Sequence, residues 1–324
     1  MPYAIVASAP GGTDVMRRCD LNIPQPAAGQ VLIRQTAIGV NFIDIYFRQG
    51  LYPWPVESDL ILGSEGAGVV EAVGPGVSGF QTGQRVAYTV TNGAYATHRL
   101  VPAAQLVALP DDISDEIAAA VMLKGLTAYY LIHDSYAAKQ GDTVLFHAAA
   151  GGVGLIAGQW LRARGVRAIG TAGGSDKCEL AMAHGYAEAI DYTKDDFVSR
   201  VKELTTGAGV AGVYDSVGKD TIMGSVACLA RFGTLVSFGQ SSGLPDQFRI
   251  SDLAGGSLRL TRPTLFHHTA SRAWLEAATN ALFAVIRAGK VEIRVNASWP
   301  LADAALAHDA LTGRATTGST ILIP

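Results

Sequence analysis

The chain has 324 residues, 49% hydrophobic and 16% charged, which excludes a disordered chain and predicts about two domains. With 25 Lys and Arg against 28 Asp and Glu, the net charge is −3, which excludes a broadly basic nucleic-acid binder. Cys19, Cys178 and Cys228 are too few and too scattered for a disulfide framework or a four-cysteine metal site, and they point to a reducing, cytoplasmic compartment.

Met1 to Val6 show no basic region leading into an apolar stretch, so no signal peptide is expected. Residues 1–124 read as strands and loops. Residues 31–38 are β-rich, and 66–73, 85–90 and 100–109 are short apolar runs bounded by Gly, Pro and Asn. From residue 125 the rhythm changes. Strands are predicted at 143–147, 166–171, 187–190, 210–214 and 234–238. Helices are predicted between them at 153–164, 176–184, 195–204 and 221–230. This alternation predicts βαβ units on a parallel sheet. Residues 145–161 contain His147 and four glycines and fall short of a membrane span, so they read as a buried strand and helix. The tail has a helical period over 270–288 and ends in the apolar run 321–323, expected to rejoin the first domain.

Ala149-Ala150-Gly151-Gly152-Val153-Gly154 follows a predicted strand and opens a predicted helix. That is the context of a dinucleotide-binding turn, with Ala149 at the first glycine position. Small residues let the backbone approach a pyrophosphate, and the helix start offers free N–H groups. NAD-binding units usually place an acid at the tip of the second strand. Here that strand runs into Gly173-Gly174-Ser175-Asp176-Lys177. Ser175 and Lys177 suit a 2′-phosphate, with Tyr192 near the same pocket, so NADPH is expected over NADH.

Gly141-Asp142, Leu145, the Ala149–Gly154 turn, Gln159 and Arg162 resemble the signature of the quinone oxidoreductase/zeta-crystallin group of the medium-chain dehydrogenases/reductases. The resemblance extends over nearly the whole chain. It includes Gly39 to Asp44, Leu123-Lys124-Gly125-Leu126-Thr127, Tyr214-Asp215-Ser216-Val217-Gly218 and Arg314 to Gly318. It implies an α/β protein. A GroES-like β-barrel domain spans residues 1–124, completed by 263–324. A Rossmann domain with a doubly wound parallel sheet spans 125–262.

The resemblance also bears on metal. Zinc alcohol dehydrogenases of the superfamily place Cys where Asn41 stands and His where Ser64 stands, and both residues here are poor zinc ligands. No metal is therefore expected. Without a Lewis acid, the acceptor should be a quinone or another conjugated carbonyl, whose reduced anion is delocalised. Asn41, Tyr46 and Tyr52 are the candidate catalytic residues, the two tyrosines as substrate-lining groups or proton donors. The resemblance carries over further cofactor contacts. These are Asn41, Lys124, Thr127, Gly151, Gly152, Val153, Gly173, Ser175, Lys177, Tyr192, Ser216, Phe238, Gly239, Ser241, Phe266 and Arg314. Asp44 reads as an orienting residue and Arg48 as a salt-bridge partner. A homodimer is expected, pairing edge strands formed by residues 257–261; no membrane or nucleic-acid partner is expected. The leading function is NADPH-dependent quinone reduction. The alternatives are reduction of an enone or enal double bond and a non-catalytic NADPH-binding role.

Overall fold

The computed structural model describes residues 1–313 and 316–324. The chain forms two compact units, residues 1–124 with 266–283 and 293–324, and residues 125–265 with 284–292.

The first unit opens with β1 (Tyr3–Ala7), β2 (Met16–Asp20) and β3 (Gln30–Val40), followed by helix α1 (Phe42–Arg48). Then come β4 (Leu60–Ile61), β5 (Glu65–Val73), β6 (Arg85–Thr89), β7 (His98–Pro102) and β8 (Leu106–Ala108). The run 100–109 is thus two strands. Pro102 lacks the N–H a continuing ladder needs, and a 3-10 turn at Ala103–Gln105 separates them. Two helices lie in the stretch read as strands and loops, α1 and α2 (Asp115–Tyr130). Residues Ala118 to Met122 of α2 are all buried, so the sequence shows no one-sided apolar stripe there. The chain passes into the second unit within α2.

The second unit alternates β9 (Thr143–Phe146), α3 (Gly152–Ala163), β10 (Arg167–Ala172), α4 (Ser175–Ala183), β11 (Glu188–Asp191), α5 (Phe197–Leu204), β12 (Val210–Asp215), α6 (Ile222–Cys228), β13 (Leu229–Ser237) and β14 (Arg259–Thr261). The order across its sheet is β11-β10-β9-β12-β13-β14, all parallel. Order reverses between β9 and β12, the switch point at which open parallel sheets bind ligands. Val144, Leu145 and Phe146 are all buried, as a central parallel strand requires. Helix α6 ends before the predicted 230, because Leu229 pairs with Val210 and begins β13.

The tail supplies α7 (Leu265–Thr269), α8 (Arg272–Arg287), β15 (Val295–Pro300), α9 (Ala304–Thr312) and β16 (Ser319–Ile323). Strand β16 pairs with β3, so the chain end joins the first unit's larger sheet, β15-β16-β3-β5-β6-β8, with β7 beside β3. A smaller sheet runs β2-β1-β4. Among the described residues no helix is long and apolar enough to cross a membrane.

Candidate active site

In the first unit the candidates gather on α1 and on one carboxylate. Asn41 is the N-cap of α1, and its N–H donates to Asp44 Oδ2 at 2.9 Å. This is half of a capping box, and it fixes the start of the helix. The Asn41 Nδ2 amide donates to Glu65 Oε1 at 2.8 Å, and Lys124 Nζ lies 3.0 Å from the same oxygen. Glu65 Oε2 accepts the Leu123 N–H at 2.6 Å. All three side chains are buried. Asn41 and Lys124, far apart in the sequence, are thus joined by Glu65. Glu65 ends Gly63-Ser64-Glu65, where zinc relatives carry Gly-His-Glu, but its contacts to Asn41 and Lys124 are long-range and invisible in the sequence.

Asp44, on the same helix, accepts from Ser64 Oγ at 2.8 Å and from Tyr95 Oη at 3.1 Å. Tyr95 Oη is 2.8 Å from His308 Nε2, and Arg48 Nη1 is 3.1 Å from His308 Nδ1. Arg48 therefore meets an imidazole rather than the expected carboxylate. Arg48 always carries its protons, so it donates to Nδ1, and Nε2–H donates to Tyr95. Tyr95 in turn donates to Asp44. The chain runs Arg48 to His308 to Tyr95 to Asp44, and it ties α1 to α9. Burial pushes the Asp44 carboxyl up to about 7, against the hydrogen bonds from Ser64, the Asn41 amide and Tyr95. Burial, then the nearby Arg48 charge, pushes His308 down to about 3, so its ring stays neutral.

Tyr46 is buried on α1, and Tyr52 follows in the loop, half-buried. Their rings meet edge-on at 5.4 Å, and Tyr52 also meets Phe47 edge-on at 5.5 Å. The structure brings Asn41, Tyr46, Tyr52 and Lys124 into this one unit. Phe266, half-buried in α7, belongs to it as well. Arg314 lies outside the described residues.

In the second unit the candidates line the carboxyl ends of the strands. Gly151, Gly152 and Val153 open α3 past the end of β9, with Gly151 as N-cap and no side chain capping it. The first amides of a helix have no intrahelical acceptor, and such an uncapped start suits an anion such as a phosphate. A Cβ at Gly154 would stand 2.5 Å from the Ala148 and Ala149 carbonyl oxygens, so the turn tolerates only glycine there. Past β10, a Cβ at Gly173 would stand 2.7 Å from Tyr192 Oη. Ser175 is exposed and Lys177 half-buried on the first turn of α4. Tyr192 is exposed just past β11. Ser216 follows β12, and its carbonyl accepts the Ser241 N–H at 3.1 Å. Phe238 and Gly239 follow β13, with the Phe238 N–H on the Asp215 carbonyl at 2.8 Å; Ser241 is exposed. Thr127 is buried in α2.

Asp191, at the tip of β11, is a residue the sequence reading passed over. Its Oδ1 accepts the Gly174 N–H at 2.8 Å and the Thr193 hydroxyl at 2.7 Å. The Thr193 hydroxyl, then the Gly174 amide, hold its carboxyl down at about 2. Asp191 Oδ1 is therefore taken up by the turn itself, while Oδ2 lies 3.6 Å from Lys194 Nζ. The arrangement fits a phosphorylated dinucleotide: uncapped helix amides, a glycine cradle under a tyrosine, and a serine and lysine beside it. Zinc fits less well. Asn41 and Ser64 both donate to carboxylates, and among the described residues no group of three or more His, Cys, Asp or Glu side chains is placed to hold a metal ion.

Two family models match the chain, an alcohol dehydrogenase GroES-like domain over residues 27–111 and a zinc-binding dehydrogenase domain over 152–280. A quinone oxidoreductase of Pseudomonas aeruginosa is 48% identical over the full length of both chains. A 2-haloacrylate reductase of a Burkholderia species is 42% identical, covering 100% of this chain and 99% of that protein. The crystal structure of Escherichia coli quinone oxidoreductase complexed with NADPH superposes with a TM-score of 0.97 at 44% identity, covering 99% of this chain and 100% of that one.

Proposed function

The chain belongs to the quinone oxidoreductase family of medium-chain dehydrogenases/reductases, and on that premise we propose that it is an NADPH-dependent quinone reductase that works without zinc. The observation that carries this is the uncapped start of α3 beside the β9/β12 switch point, with Ser175 and Lys177 on the adjoining turn.

Bound NADPH supplies a hydride from nicotinamide C4. The protein's own residues bind, orient and protonate. The α3 amides at Gly152 and Val153 receive the pyrophosphate, and Ser175, Lys177 and Tyr192 receive the 2′-phosphate. Lys124, Thr127, Ser216, Phe238, Gly239, Ser241 and Phe266 would hold the rest of the cofactor. Asn41, fixed by Glu65 and Asp44, would contact the nicotinamide, and Tyr46 and Tyr52 would line the acceptor. Either tyrosine hydroxyl would supply the proton to the reduced quinone oxygen. A second reading, reduction of a conjugated C=C bond, draws on the 2-haloacrylate reductase relative.

The dimer pairs β14 edge to edge. This short strand ends the sheet and exposes Leu260. The three unpaired cysteines fit a cytoplasmic protein. Turnover with NADPH carrying deuterium at C4 tests the hydride step. With the label placed on each face of C4 in turn, slower quinone reduction and loss of deuterium for one label, with one hydroquinone formed per NADPH, supports it; deuterium retained on the nicotinamide with both labels refutes it.

A further inference from the structure

His147 follows β9 and is 1% exposed. Its Nδ1 lies 2.9 Å from Thr171 Oγ1 on β10, and its Nε2 lies 2.9 Å from Ser225 Oγ on α6. Ser225 Oγ also donates to Asp215 Oδ2 at 2.7 Å. A hydroxyl has one proton to give, and a carboxylate can only accept. Ser225 must therefore accept from His147 Nε2–H, which leaves Nδ1 to accept the Thr171 hydroxyl proton. The ring is neutral with one defined tautomer. Burial pushes its pKa down, against the pull of the Asp215 charge. Asp215 is itself saturated by the Val217 and Gly218 amides and the Thr221 hydroxyl. Phe197 covers the imidazole edge-on at 5.0 Å.

One imidazole thus ties the end of β9 directly to β10 and, through Ser225 on α6, to Asp215 at the end of β12. The next residue, Ala148, has φ 54, a left-handed conformation that disfavours any side chain. Its carbonyl accepts the Gly151 N–H at 2.9 Å, so this conformation sets the glycine turn. It is held on both sides. The His147 N–H donates to the Tyr214 carbonyl at 3.0 Å, and the Ala149 N–H donates to the Thr171 carbonyl at 3.0 Å. Strain that persists beside a ligand-facing turn has to be imposed by its surroundings.

We propose that His147 is a positioning residue for the dinucleotide: with Ser225 and Asp215 it holds Ala148 left-handed and so aims the turn and the α3 amides. The proposal rests on the reading of that turn as the NADPH site.

The test is fluorescence titration of the full chain with NADPH and with NADH, for wild type, His147→Phe, Ser225→Ala and His147→Phe/Ala148→Gly, with circular dichroism to confirm folding. A misaimed group weakens its interaction by roughly tenfold or more. His147→Phe should weaken both nucleotides by the same factor, because they share the pyrophosphate, and leave the KM for the acceptor unchanged. Ala148→Gly should restore part of the loss, since glycine adopts this φ without support. If His147→Phe does not fold, Ser225→Ala carries the test and should show a smaller loss in the same sense. Folded variants that bind both nucleotides like wild type would overturn the proposal, as would a loss that Ala148→Gly leaves untouched. A wild-type protein that binds neither nucleotide would overturn the underlying reading instead.

Discussion

Glu65→Gln removes the charge opposite a buried lysine. The Lys124 and Glu65 side chains are 8% and 0% exposed and 3.0 Å apart, so solvent does not screen them. The substitution also turns one of two accepting oxygens into a donor, although Glu65 accepts from Asn41, Lys124 and Leu123. Breaking a buried pair from one side costs roughly 3–5 kcal/mol, mostly from the stranded charge. Guanidinium unfolding should show a loss of that size. Glu65→Gln/Lys124→Met strands no charge, so it should recover about 2 kcal/mol or more of it. Because Asn41 and Lys124, both assigned to the cofactor, share Glu65 Oε1, the KM for NADPH should rise in the single variant. A Glu65→Gln loss under about 1 kcal/mol, or a double variant whose losses simply add, would refute the reasoning.

Lys177→Glu should raise the KM for NADPH far more than that for NADH; equal changes in steady-state assays would remove the basis of the phosphate assignment. Asp44 is raised to about 7 when folded, from an ordinary value of 3.8, so the folded state holds its proton more tightly. Its contribution is full below about pH 4 and is lost as pH rises through about 7. The stability of wild type relative to Asp44→Asn should therefore fall over that window in urea titrations; a difference that is flat with pH would contradict the burial argument. Leu260→Glu at the exposed sheet edge should give a monomer by light scattering, and an unchanged mass would move the subunit contact elsewhere.

The βαβ half of the molecule was legible because its signals are local: buried apolar strands, a glycine turn and helices of ordinary length. The first half was less so. Helix α2 is buried over Ala118 to Met122 and shows no amphipathic period, and α1 is short and held by its capping box. The sequence pointed to Asn41, Tyr46 and Tyr52, and α1 carries Tyr46 with Asn41 as its N-cap. The polar wiring of the site was not legible. Glu65 meets Lys124 across 59 positions and Arg48 meets His308 across 260. Such pairs exist only once the chain is folded, and no single-sequence pattern encodes them. Asp191 was passed over for the same reason, because it caps a turn 17 residues away.

The most direct test of the central claim is NADPH oxidation by chelator-treated protein, with 1,4-benzoquinone, 9,10-phenanthrenequinone and a simple enone side by side, repeated with NADH. Fast quinone turnover with NADPH, slow turnover with NADH and no loss to the chelator are expected. Turnover confined to the enone, or abolished by the chelator, would contradict that claim.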